Sequence, residues 1–260
     1  LPSKVETHTY LFLNQVLAQP AEIPGYPNNT YSVGGYEEST AVHDYEMDPF
    51  IVNDPVYGPL MMNALKAVPT VSIAVDPNEI FGVTGFYDGE DIIKRASVEV
   101  IYPNSPAASH QADTGIESHS HNRLKRSLRL NFKTEYGADW FDTDLFQRSP
   151  LNGNSATDRV KRIILRAGNN RSWARDWEPD KTTYAEDQFY RDTQIALTGI
   201  GSHGTFAHLY INGIYWGLYN PVERPDEHFT SEYLGGESED WFFLNHGGAT
   251  DGDAARWAYL

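Results

Sequence analysis

The feature that most constrains this chain is Asn212-Gly213, set between two alternating apolar runs, Thr205 to Ile211 and Ile214 to Val222. A two-residue hairpin turn needs positive φ at both central residues, and Asn followed by Gly reaches it at least cost. The segment therefore predicts an antiparallel hairpin. Other strands are expected at Val68 to Val75, Ser97 to Tyr102 and Arg162 to Arg166. Arg126 to Lys133 alternates most cleanly: Leu128, Leu130 and Phe132 face one way, and Ser127, Arg129, Asn131 and Lys133 the other.

Helical spacing appears in fewer places. Gly58 to Ala67 puts Leu60, Met61, Ala64 and Leu65 on one side. Tyr184 to Thr198 is the best helix, with Thr183 and Glu186 spaced as a capping box and Gly199 as terminator. Its expected apolar face holds Ala185, Phe189 and Ala196, flanked by Tyr190 and Leu197, and Asp187 and Arg191 stand as an i,i+4 ion pair. Pro225 opens a helix to about Tyr233, closed by Leu234-Gly235-Gly236, and another should follow Asp251-Gly252-Asp253. Strands and helices do not alternate regularly. The predicted class is α+β, a mixed or antiparallel sheet with a few helices. Residues 20–60, broken by Pro and Gly, read as an irregular wrap, so the chain divides into residues 1–67 and a main domain over 68–260.

Composition narrows function. Hydrophobic residues at 40% and aromatics at 13% suffice for a packed core. No apolar run reaches the roughly 18 residues of a membrane span. The absence of cysteine excludes disulfides, thiolate zinc sites and Cys nucleophiles. A net charge of −16 argues against nucleic acid as a partner. Yet residues 123–175 carry 12 basic against 5 acidic side chains, a local +7 in an acidic chain. Such an island either binds an anion or pairs with acidic neighbours.

Several short patterns carry candidate chemistry. Gly199-Ile200-Gly201-Ser202-His203-Gly204 matches G-x-G-x-x-G, but a helix precedes it and a strand follows, the reverse of a dinucleotide loop, so it reads as a turn. Ser202 sits as in a nucleophile elbow, with Ile200 where a glycine is required. In a strand, His119 and His121 would share a face and could ligate a transition metal, with His110, His203 or His208 as a third ligand; the alternative is a hydrogen-bonded loop. Asp142-x-Asp144 and Asp251-x-Asp253 lack the full spacing of a calcium loop. Arg126, Arg129 and Lys133 place fixed cations on or beside one strand, as phosphate binding requires, or else form a solvated face. Asn28-Asn29-Thr30 and Asn170-Arg171-Ser172 are glycosylation sequons.

The run from Leu209 to Asp226, with Asn212-Gly213-Ile214-Tyr215-Trp216-Gly217 at its centre, resembles the signature of the CotH kinase-like (spore-coat-kinase-like) family. Arg126-Ser127-Leu128-Arg129-Leu130-Asn131-Phe132-Lys133 resembles the family's basic strand, and Ala185 to Asp192 its helix. The opening His8 to Leu13 and Pro69 to Ile73 are similar to large secreted bacterial members. The resemblance implies the amino-proximal part of an atypical kinase fold, secreted or at a bacterial cell surface. It implies ATP with Mg²⁺ and phosphoryl transfer to protein Ser. By position in the pattern, Arg129 or Lys133 becomes the phosphate-binding cation, and the helix bearing Glu186, Asp187 and Arg191 positions it. The strand ending at Asn220 to Glu223 becomes the hinge beside the adenine. Ser118-His119-Ser120-His121 stands where the family often has a Gly-Gly-rich stretch. The family's catalytic and metal-binding acids fall in a carboxy-terminal half starting near Asp253, so this chain alone is expected to be a weak or inactive kinase. Its partners would be a protein substrate, neighbouring domains or a second copy. Two alternatives stand beside this reading: a non-catalytic binding or scaffold module, and a metal-dependent enzyme built on His119 and His121.

Overall fold

A computed structural model describes residues 6–33, 39–89, 91–105, 108–119, 125–169, 171–172, 178–245 and 248–251. The chain runs through α1 (Leu13–Leu17), β1 (Thr30–Val33), β2 (Ser39–Val42), α2 (Pro49–Val52) and α3 (Met61–Ala64) before entering the main sheet. That sheet consists of β3 (Thr70–Val75), β4 (Lys94–Ile101), β5 (His110–Ser118) and β6 (Leu128–Asn131), then β9 (Arg162–Arg166), β10 (Ala207–Ile211) and β11 (Ile214–Glu223). A small pair, β7 (Phe141–Asp142) and β8 (Arg159–Val160), is inserted between β6 and β9. Helix α4 (Glu186–Thr198) lies between β9 and β10, and α5 (Glu227–Leu234) follows β11. A last hairpin joins β12 (Phe243–Asn245) to β13 (Gly248–Asp251).

The seven strands close into a barrel in the order β10-β11-β9-β6-β5-β4-β3. Every pairing is antiparallel except the closing one, β3 with β10, which is parallel. The fold is α+β, as the sequence implied. Closure pairs every strand on both sides and leaves no free edge. Among the described residues no helix is long and apolar enough to cross a membrane.

One face of each strand builds the core. Val71, Ile73, Val98, Val100, Leu128, Leu130, Phe132, Ile163, Leu165, Leu209 and Ile211 are each at most 2% exposed and pack as one cluster with Tyr219. The alternation in 126–133 therefore predicts its buried face correctly. Outside the barrel, Val16, Leu65 and Tyr210 form a second cluster that seats the amino-terminal segment against β10. Gln19 locks it there, its Oε1 accepting from the Tyr215 amide at 2.8 Å.

The hairpin turn is as expected, with Asn212 at φ 50° and Gly213 at φ 79°. A bulge between Leu209 and Tyr210 shifts the register, so Leu209 faces Gly217 and Tyr210 faces Tyr215. Strand β5 escapes the sequence reading, although it pairs with β4 along seven residues. The residue 20–60 segment likewise contains β1, β2 and α2 rather than irregular chain alone.

Helix α4 departs from expectation in three ways. Its N-cap is Ala185, with no side-chain cap bond, so the Thr183 and Glu186 capping box does not form. Phe189, Tyr190 and Leu197 are 65%, 60% and 80% exposed, whereas Gln188 and Ile195 are buried. Asp187 and Arg191 do not pair with each other but reach across to the barrel. The cause is shared: α4 docks on a polar strip of the barrel wall, so its polar side is the one that finds partners. Gly199 caps the helix at φ 77°, and Gly199 to Gly204 is the helix-to-strand turn that the flanking elements imply. The Asp226 side chain caps α5 by accepting from the Phe229 amide at 3.0 Å, and Gly235 ends it. The helix expected after Asp253 lies outside the described residues, as do His121 and Asn170.

Candidate anion-binding site

Opposite the core, the outer wall of β5, β6, β9 and β11 carries polar and charged side chains. Register puts Glu117, Arg129, Ile164 and Val222 in one row, with Arg166 and Asn220 opposite each other in the next. Period-two alternation thus delivers Arg129 and Arg166 to the same surface as Glu117 and Asn220.

Each charge on this wall is held. Glu117, 3% exposed, accepts from Arg129 Nε at 2.8 Å and from Asn131 Nδ2 at 2.6 Å. Arg166 Nη2 donates to Asp187 Oδ2 of α4 at 2.5 Å. Arg191 donates to Asn220 Oδ1, while Asn220 Nδ2 donates to Gln188 Oε1 at 2.8 Å and to the Thr205 carbonyl at 2.6 Å. Glu186 faces Arg171 at 3.5 Å. Arg162 donates to Asp226 at 2.6 Å and so ties β9 to the cap of α5.

Beside these groups lies a cleft of about 580 Å³ between β9, β11, α4 and α5, with Arg166, Arg191 and Ser202 in its wall. Ile164, Ile200, Val222, Phe229 and Trp241 give it an apolar side. Two donors there, Nε of Arg166 and Nε of Arg191, are buried and have no hydrogen-bond partner among the described residues. Buried donors are rarely left so, because each forfeits hydration without return. Burial, and then the neighbouring Arg166 charge, hold the Arg191 guanidinium down at about 10, still a cation at neutral pH. Burial of its ring, followed by the charges of Arg129, Arg224 and Arg166, pushes His119 down to about 4. The imidazole is thus neutral beside three guanidiniums. An anion with several oxygens is the species that satisfies this arrangement.

The structure brings Arg129, Asp187, Arg191 and Asn220 to this wall and Glu223 to the cleft, together with Arg166, Glu117 and Gln188, which sequence reading does not single out, while Glu186 is engaged by Arg171. Arg166 was legible in part: Arg162, Ile164 and Arg166 alternate in a predicted strand. The cation that meets the acidic helix residue is Arg166, while Arg129 is taken up by Glu117. Arg126 turns elsewhere, pairing with Asp88 at 2.9 Å and stacking on Tyr87. Lys133 is exposed and faces Glu135 at 3.8 Å. Both carboxylate oxygens of Glu223 are engaged, Oε2 by His203 and Oε1 by Tyr233. Among the described residues no group of three His, Asp or Glu side chains is placed to hold a metal. Asp144 is occupied by Tyr102 at 2.6 Å and Arg148 at 2.6 Å.

A family model described as CotH kinase protein matches residues 117–255, more than half of the chain. The match begins at the buried glutamate of β5 and takes in the whole polar wall and both helices beside the cleft. No curated protein matches the chain.

Proposed function

The chain belongs to the CotH kinase protein family, and from that premise we propose that the cleft between β9, β11, α4 and α5 binds the nucleotide of an ATP-dependent phosphoryl transfer to protein Ser. The observation that carries this reading is the pair of buried donors on Arg166 and Arg191, unpartnered among the described residues, in the wall of a cleft whose other side is apolar. Phosphate oxygens would take the donors, and the apolar side would receive the purine. Asp187 holds Arg166 in one rotamer, so little side-chain entropy remains to be lost on binding. Asn220 and Gln188 fix Arg191 in the same way. Magnesium, bound with the nucleotide, would neutralise part of the phosphate charge. No described residue is assigned to it.

The test is calorimetric titration of the chain with ATP, with and without Mg²⁺. Saturable binding is expected, weakened about tenfold or more in Arg166→Ala, since a charge-assisted contact contributes about 1.5–3 kcal/mol. Arg129→Ala should weaken it less, because Arg129 Nε already donates to Glu117 and Arg129 is not in the wall of the cleft. Absence of binding at millimolar nucleotide would leave a non-catalytic binding or scaffold module as the reading.

A further inference from the structure

Behind the cleft, whose wall includes Glu223, four side chains from four separate segments form one hydrogen-bonded chain. Ser155 ends the 3₁₀ turn Gly153–Ser155 and is exposed. Its Oγ lies 2.8 Å from Nε2 of His203, which is 2% exposed. Nδ1 of His203 lies 2.7 Å from Oε2 of Glu223, itself 3% exposed. Tyr233 of α5 stacks on the imidazole at 5.5 Å and donates its hydroxyl to Oε1 of Glu223 at 2.7 Å. The backbone amide of His203 gives Oε2 a further bond at 2.9 Å.

These contacts fix the proton arrangement. Glu223 accepts from the Tyr233 hydroxyl at Oε1 and from the His203 amide at Oε2, and has acceptor capacity left for the imidazole. Tyr233 stays protonated, because burial and then the Glu223 charge push its hydroxyl well above the ordinary phenol range. Nδ1 therefore carries the hydrogen that points at Glu223, and Nε2 is left as a bare acceptor facing the Ser155 hydroxyl. Ser155 Oγ also lies 2.8 Å from the Asn152 carbonyl. When Nε2 is protonated, it donates to Oγ, and the serine hydrogen turns to Asn152. Both states of the imidazole are thus satisfied without moving a heavy atom, which a general base requires. Ser202, the serine nearest to a nucleophile motif, is spent on the Glu223 carbonyl instead.

We propose that Ser155 is a nucleophile, activated by His203 and oriented through Glu223, that accepts the acyl group of carboxylic esters. The Oγ–C bond forms as the hydroxyl proton passes to Nε2. The C–O bond to the alcohol then breaks, and the leaving alkoxide takes that proton. Water, deprotonated by the same nitrogen, attacks the acyl-serine, releasing the carboxylic acid and restoring the hydroxyl.

The test treats the whole chain with a fluorophosphonate probe and maps the adduct by peptide mass spectrometry, with p-nitrophenyl acetate hydrolysis in parallel. Labelling is expected at Ser155 at least about tenfold faster than at Ser105, an exposed serine in the same sample. The rate should fall as the buffer is acidified, because a base acting through Nε2 must be unprotonated. The titratable groups in contact with His203 are Glu223 from β11 and Tyr233 from α5. Ser155→Ala, a surface change, should abolish both the adduct and ester turnover. His203→Gln should do the same with the fold intact by circular dichroism. Labelling of Ser155 no faster than Ser105, or a flat pH profile in the unmodified chain, overturns the proposal even if His203→Gln fails to fold.

Discussion

Lys125 enters an aromatic end of the barrel, its Nζ 2.6 Å from both the Tyr184 hydroxyl and the Leu218 carbonyl and 4.5 Å from the Tyr219 ring centre. Gly217, at φ 122°, makes room, since a Cβ there would stand 3.3 Å from that nitrogen. Neither neighbour is a carboxylate, and burial pushes the amine down to about 7 from an ordinary value of 10.5. Between those values the unfolded chain holds a proton that the folded chain has released. Stability should therefore rise with pH across that window, and the full cost of the buried cation should be present below it. Lys125→Met removes the titrating group. Urea midpoints measured from pH 6 to pH 9 should show the unmodified chain gaining on the variant as pH rises. Parallel curves would mean that the aromatic and carbonyl contacts keep the amine charged.

The docking of α4 rests on close approach at Gly204, where an added Cβ would stand 2.4 Å from Gln188 Oε1 and 2.9 Å from Val222 Cγ1. Gly204→Ala should displace Gln188 from Asn220, free Arg191, and destabilise the fold by about 1–3 kcal/mol in urea denaturation. ATP affinity should fall with it, although residue 204 stays outside the wall of the cleft. An unchanged affinity would separate helix position from the site. The same helix shows what the sequence could reveal. Its existence and its Gly199 stop follow from local periodicity and backbone freedom. Its orientation does not, because the exposed Phe189 and Leu197 look like a core face until the barrel wall proves to be polar. Strand β5 was hidden for a related reason: Gln111, Asp113 and Glu117 interrupt any apolar run, yet Glu117 is buried by its bonds to Arg129 and Asn131. The hairpin and β6 were legible because their cores alternate without polar exceptions. Arg166 waited on register, which only pairing with β11 supplies.

For the whole molecule, the question is how an acidic chain attracts a polyphosphate. The net charge of −16 repels it at long range, while Arg129, Arg166, Arg191 and Arg224 attract it near the polar wall. At an ionic strength of about 0.1 M, charges interact over about 10 Å, so the local cluster should dominate. Two quantities should then move in opposite directions as salt is raised. ATP affinity should fall, because contacts to the arginines are screened. The melting temperature should rise, because repulsion among 36 acidic side chains set against 20 basic ones is screened too. Calorimetry and thermal scans in one series of about 0.05 to 0.5 M NaCl measure both. Affinity that rises with salt would mean that the ligand feels the net charge rather than the cluster, and the nucleotide would then have to bind elsewhere. A melting temperature that falls would place more of the stability in ion pairs such as Arg162–Asp226 and Arg166–Asp187 than in relief of repulsion.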